Sequence, residues 1–237
     1  MIRMRFGMTA LVIGLGAGVG GGCGEQAQPP AASQPAPRTR PAARPATAPV
    51  ADGKVMKLFD GKTMKNWHVT EFGGEGQAEV EDGQIIVHSG TTLSGVNWTG
   101  QALPKENFEI ELDAKKLDGS DFFLGLTFPY KNDYATLVLG GWGGSVIGIS
   151  SVNGNDAANN EWSAAREFKK NTWYHVRLRA TGDRISAWMD KDPEPFLDLE
   201  TAGKEISTRS DIDAAKPLGL STYQTSAAYK NITLRKL

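Results

Sequence analysis

One cysteine, Cys23, stands in the whole sequence of 237 residues. A lone thiol forms no internal disulfide, and it excludes Cys-rich zinc sites and Fe–S clusters. Histidine is nearly as scarce: His68, His88 and His175 are the only three. No two have metal-ligand spacing, His88 ends an apolar run (IIVH), and His175 lies on the polar side of an alternating run. No G-x-S-x-G nucleophile elbow occurs. Nucleotide motifs fail on spacing. The glycines around Trp142 (VLGGWGGSVIG) put Val146 where G-x-G-x-x-G needs its third glycine, and Met56 takes the first-glycine position of a phosphate loop ending at Gly61-Lys62-Thr63. No internal repeat is present, which argues against a propeller. Aromatics make up 8 % of the chain.

The N-terminal apolar run, Met8–Val19, is too short to span a bilayer. Arg3 and Arg5 precede it and Gly20-Gly-Gly-Cys23 follows, so residues 1–23 resemble a bacterial lipoprotein signal whose cysteine becomes lipidated. The larger aliphatic usual three residues before the cysteine is Gly20 here, and an ordinary secretory signal is the alternative. Lipidation at Cys23 implies the bacterial cell envelope, with membrane contact through the anchor alone. Residues 24–50, rich in Pro, Ala, Gln and Thr, have almost no large apolar side chains and form a disordered tether.

Residues 51–237 are long enough for one sizeable core and are expected to form a single domain. Residues 1–50 hold five of the 26 basic and one of the 27 acidic side chains, which leaves 21 against 26 and a net charge of −5. Such a domain has no electrostatic reason to bind nucleic acid. Nothing calls for a second copy, so a monomer is assumed.

Alternation with period two dominates. Phe108–Leu112 (FEIEL), Tyr174–Ala180 (YHVRLRA), Arg184–Met189 (RISAWM) and Tyr229–Leu234 (YKNITL) each bury one face. Turn signals recur at Glu81-Asp82-Gly83, Asp190–Pro193 and Thr181-Gly182-Asp183, the last predicting a hairpin. Glu161–Lys170 and Ile212–Lys216 could each hold a short helical turn. The expected fold is all-β: two packed antiparallel sheets, with a strand near Leu58 beside the C-terminal strand. Asn153-Gly-Asn-Asp156 offers calcium-binding oxygens, but its spacing is not an EF-hand and ordinary turn chemistry is the better reading. No cofactor is evident.

Several segments together resemble the DUF1080 family, the 3-keto-disaccharide hydrolase domain. They are Leu58–Lys62 with Asn66-Trp67, Ala78–Gly83, Asn107–Asp113, Thr172–Arg177 with Asp183–Trp188, and Lys230–Leu237. The resemblance covers Val55–Leu237 and implies a concanavalin A-like jelly-roll sandwich. It also implies a keto-sugar or other carbohydrate ligand and cleavage of a glycosidic bond. The middle departs from the family pattern. Gly119–Phe123 replaces "GGNSGVF". In Tyr134–Gly140, Ala135, Leu137 and Gly140 take the places of glutamate, glutamine and aspartate, and a frequent histidine falls near Tyr223.

Two functions follow. A hydrolase of 3-keto-glycosides needs a base and an acid. Asp121 and Glu161 are the first candidates, with Asp133 and Asp156 behind them. A non-catalytic, lectin-like module needs flat aromatics and polar groups, for which Trp142, Tyr130, Trp162, Tyr223, Asn155 and Asp156 stand in loop-like contexts. A structural surface protein is a third possibility. Trp67, Trp173 and Trp188 are expected in the core.

Overall fold

The computed structural model describes residues 53–237. The expected signal, Cys23 and the Pro/Ala-rich tether lie outside the described residues. Strands β1 (Val55–Lys57), β2 (Trp67–Val69), β3 (Ala78–Glu81), β4 (Gln84–Val87) and β5 (Leu93–Trp98) come first. The middle holds β6 (Phe108–Gly119), β7 (Leu124–Tyr130), β8 (Asp133–Gly140), β9 (Val146–Ser150) and β10 (Ala164–Ala165). Then follow β11 (Trp173–Ala180), β12 (Arg184–Met189), β13 (Leu197–Glu200), β14 (Gly219–Tyr223) and β15 (Thr225–Lys236). A 3-10 helix, Ser210–Ala215, precedes β14.

One sheet runs β13-β12-β11-β6-β15-β4-β3, with β1 added beside β15. The other runs β10-β9-β8-β7-β14-β5-β2. All pairings are antiparallel. The core lies between them. Phe108, Ile110, Leu112 and Ala114 of β6 and Val176, Leu178 and Ala180 of β11 meet Leu124, Leu126 and Phe128 of β7 and Leu137 and Leu139 of β8. Each large apolar side chain so buried contributes about 1.5–3 kcal/mol, which is what a period-two pattern secures on one face only. The Glu81–Gln84 hairpin turns through Asp82 and Gly83, both at positive φ, and the Thr181–Asp183 hairpin joins β11 to β12. The pairing of β1 with β15 puts the start of the described chain beside its end.

Three expectations change. Glu161–Lys170 holds no helix: Ala164–Ala165 instead pairs with Val146 and Ile147 as the edge strand β10. The side-chain amide of Asn160 donates to Ile149 O and Asp156 O and fixes the loop against β9, whose edge groups need that pairing. The 3-10 helix at Ser210–Ala215 does occupy the other place where a helical turn was expected. Trp173 is not a core residue, and Trp188 is buried, at 6 % exposure, but on the outer side of its sheet rather than between the two sheets. They share the outer face of the eight-stranded sheet with His175, Arg177 and Arg179. Lys115 and Lys230 stack on Trp173 at 4.5 and 4.2 Å, and Arg177 covers Trp188 at 4.3 Å. Of these three, Trp67 packs between the sheets, with its Nε1 donating to Leu58 O.

The outer face of the seven-stranded sheet differs from that charged surface. Register sets Thr136 beside Ser150 and Thr127, and Val138 beside Gly148 and Gly125. Ser221 lies between Gly125 and Gly95. Small side chains therefore pave this face.

Candidate functional site

The paved face is the floor of a cleft of about 310 Å³. Thr136 and Val138 of β8 and Ser150 of β9 form its base. Gly125 lets the walls come close, because a Cβ there would stand 3.1 Å from Phe122 Cε2 and 3.4 Å from Ile212 Cδ1. One wall is the 3-10 helix with Arg209 before it, contributing Arg209, Asp211 and Ile212. The opposite side is aromatic. Phe122 and Tyr223 lie 6.1 Å apart between ring centroids, and Trp142 stands at the rim, 42 % exposed.

Trp142 reaches that position through an unusual backbone. The Gly141–Gly144 turn between β8 and β9 has Trp142 at φ 48°, ψ 57° and Gly143 at φ 88°, ψ 15°, both left-handed. Glycine adopts this conformation freely, but a bulky L-residue pays about 1 kcal/mol or more for it. Asp121 pins the turn. Its Oδ2 accepts the Gly143 N–H at 3.0 Å, its Oδ1 accepts the Phe122 N–H at 2.7 Å, and its own N–H donates to Thr225 Oγ1.

Polar groups line the rest. Arg209 donates to Asp156 Oδ2 at 3.0 Å and to Asp211 Oδ2 at 3.2 Å, so its guanidinium is held rigid between two carboxylates. Thr136 and Thr127 share a hydroxyl hydrogen bond of 3.0 Å. Ser150, 2 % exposed, has a buried hydroxyl with no partner among the described residues. A buried hydroxyl left unpaired is costly, and this one belongs to a residue lining the cleft.

The structure brings together three of the expected site residues, Asp121, Trp142 and Tyr223. Asp156 belongs to the same network, but only through Arg209. Asn155 does not line the cleft: its amide donates to Asn153 O within the turn, while Asn153 Oδ1 accepts the Glu205 N–H, so the Asn153–Asp156 segment is turn chemistry. Trp162 is half-buried against the core edge, with Lys204 stacked on it at 4.9 Å. Glu161 is exposed and outside the cleft, and Asp133 caps its own strand by accepting the Tyr134 N–H. Tyr130 is a correction. It is 2 % exposed in the core, and its hydroxyl bonds Thr201 at 2.7 Å, because the odd-even register of β7 turns it inward with Phe128. Tyr130→Phe should therefore leave ligand affinity unchanged and cost about 1 kcal/mol of stability, read by denaturant unfolding.

Ala135 and Leu137, matched above to polar family positions, also point into the core, so the cleft-facing residues of this strand are Thr136 and Val138. Sequence reasoning missed Arg209, Asp211, Phe122, Thr136 and Ser150. Acidic residues opening a short helix at Asp211 and Asp213 were the one legible signal among them.

The architecture is a jelly-roll sandwich of two antiparallel sheets, with a cleft on one outer face. The family model for the 3-keto-alpha-glucoside-1,2-lyase-like domain matches residues 54–235, and the chain belongs to that family. Its function is accordingly carbohydrate-related. No curated protein matches the sequence. Among solved structures the fold is similar to the exoplasmic/lumenal domain of VIP36 in its Ca2+/Man3GlcNAc-bound form, at 12 % identity and TM-score 0.50, covering 76 % of this chain and 88 % of that one. It is also similar to the Crh5 transglycosylase in its apo form, at 10 % identity and TM-score 0.50, covering 78 % and 84 %. A third is the carbohydrate binding module CBM66 from Bacillus subtilis, at 16 % identity and TM-score 0.45, covering 72 % and 96 %.

Proposed function

We propose that the domain binds the ring of a glycoside in this cleft, stacked on Trp142 and ringed by the Arg209–Asp211 pair and the Ser150 hydroxyl. The observation that carries this reading is Trp142 itself. Among four glycines, three of them also at positive φ, a left-handed position that glycine would fill without strain carries a half-exposed tryptophan. Strain kept at an exposed residue serves a site rather than the core. A sugar ring has an apolar face for the indole and hydroxyls for fixed donors and acceptors, which a rigid Arg–Asp pair supplies.

Recognition without catalysis is the form the cleft supports best. Asp121 has each carboxylate oxygen occupied by a backbone N–H, and Asp211 and Asp156 are tied to Arg209. None of these is a free acid–base pair. Cleavage of a 3-keto-glycoside is the second reading, favoured by the family. There a ketone at C3 acidifies the C2 proton, a base removes it, and the C1–O bond breaks as the leaving oxygen takes up a proton. A lipid on Cys23 would display the cleft at the cell envelope.

Incubating the full-length protein with a 3-keto-glucoside, and separately with the plain glucoside, separates the two. Saturable binding of the plain sugar with no release of aglycone from the keto-sugar supports recognition. Catalytic release from the keto-sugar overturns it in favour of cleavage.

A further inference from the structure

Among the described residues, Arg209 is the one cation that lines the cleft, and its charge is already engaged. Arg209 stands just before the Ser210–Ala215 helix, and Asp211 lies in the first turn of that helix. The two side chains meet along one edge of the guanidinium. Nε donates to Asp211 Oδ1 at 3.2 Å, and Nη2 donates to Asp211 Oδ2 at 3.2 Å. Nη1 donates to Asp156 Oδ2 at 3.0 Å. Two parallel N–H donors along one edge of a guanidinium match the two oxygens of a carboxylate, which is why arginine recognises acidic ligands. In this cleft the Nε–Nη2 fork is filled from within the chain.

The charge count points the same way. Asp121 and Asp211 line the cleft, and Asp156 is bonded to Arg209. Even with Lys116 included, whose Nζ lies 3.5 Å from where a Cβ on Gly144 would stand, three carboxylates face two cations. An incoming carboxylate would have to displace Asp211. That residue is tethered two positions from Arg209 and so competes at a high effective concentration. An uncharged hydroxyl meets no such competition. A guanidinium carries five N–H donors, and those the aspartates leave unused remain for it.

We propose that Asp211 is a specificity-determining residue of the cleft: it occupies Arg209 in place of a ligand carboxylate, so that the cleft takes uncharged glycosides and turns away uronic acids. The proposal rests on the cleft being the sugar site, and its test separates the two.

The experiment is calorimetric titration of the full-length protein with methyl glucoside and with methyl glucuronide. The two sugars differ only at C6, where a hydroxymethyl group is replaced by a carboxylate. The parent should bind the glucuronide at least about ten-fold more weakly, because a like charge set against the cleft carboxylates is unfavourable. Asp211→Asn keeps the shape of the side chain, removes its charge and releases the Arg209 edge. The affinity ratio should then shift toward the glucuronide and erase most of that difference. In Arg209→Gln/Asp211→Asn the shift should vanish, because it needs the released guanidinium. The two side chains are 48 % and 52 % exposed, so these variants keep the fold. Equal binding of the two sugars by the parent overturns the proposal and leaves the sugar-binding reading standing. So does a ratio in Asp211→Asn that matches the parent, or a shift that survives the loss of Arg209. Binding of neither sugar by the parent removes the sugar-binding reading itself, and this proposal with it.

Discussion

Trp142→Gly is expected to abolish sugar binding while leaving the fold as stable as before. Two terms oppose each other at this position. Glycine relieves the left-handed strain at φ 48°, a gain of about 1 kcal/mol. Against it stand the extra chain entropy of glycine, about 0.5–1 kcal/mol, and the contacts of the half-buried part of the indole. The balance is within about 1 kcal/mol of zero in either direction. Binding has no such compensation. An aromatic platform on which a ligand ring stacks is worth about 2 kcal/mol or more on truncation, hence a loss of affinity greater than ~20-fold. Trp142→Ala sharpens the test. It also removes the ring but keeps a Cβ in the left-handed region, so it should be less stable than Trp142→Gly by about 1 kcal/mol. Calorimetric unfolding and titration with a plain glucoside read both quantities. A drop of several kcal/mol in Trp142→Gly would make the ring a structural cover, and unchanged affinity would remove it from the site.

The sandwich was legible because period two is a short-range signal. Phe108–Leu112 and Tyr174–Ala180 alternate strictly, and each residue's face follows from its neighbours. The same rule, applied one step further, also places Trp173 and Trp188. Trp173 is in phase with His175 and Arg177, and Trp188 with Arg184 and Ser186, so both face outward. Expecting them in the core let side-chain apolarity override register. The reverse error occurred at Tyr130, where a loop-like surrounding outweighed its phase with Phe128.

The site was only half legible, for a different reason. Trp142 and Asp121 stand out locally, one as an aromatic among glycines and the other at a departure from the family pattern. Arg209 and Asp211 reach the cleft from a segment roughly seventy residues further along, and nothing in their own neighbourhood shows that the 3-10 helix crosses this face. Thr136 and Ser150 are small residues on strands, where sequence alone cannot tell a cleft floor from a packed layer. Their meaning comes from register across β8 and β9, which pairs them directly. The inward turn of Lys116, outside the cleft lining, is hidden in the same way. In the run Ala-Lys-Lys-Leu one lysine looks like the other, yet Lys115 turns out to stack on Trp173 and Lys116 turns in.

Glu109→Ala should cost about 3–5 kcal/mol of stability. In sequence Glu109 is one of the polar alternates of Asn107–Asp113, which reads as a solvated side chain. In the structure it is 1 % exposed, flanked by β11 and β15. Its Oε2 accepts Arg179 Nε at 3.0 Å and Nη2 at 2.7 Å, and its Oε1 accepts Arg235 Nη2. Burial pushes its pKa up, but the hydrogen bonds and charges of Arg179 and Arg235 outweigh burial, and the net shift is downward. The sign of the pH dependence follows. A glutamate whose folded pKa is lowered adds stability that is fully present above its unfolded value and is lost as pH falls through the folded one. Urea unfolding of the parent should therefore weaken in the acid range, and Glu109→Gln should show less of that loss. Truncation to alanine leaves two guanidiniums, one only 11 % exposed, facing each other without a counter-charge, and that is the source of the large effect. Replacing all three residues with methionine separates the cost of breaking the cluster from its net worth. The triple variant should recover most of the stability that Glu109→Ala loses, because no buried charge is left unpaired. If the triple variant is as unstable as Glu109→Ala, the cluster holds β15 to β6 by attraction beyond what packing can replace.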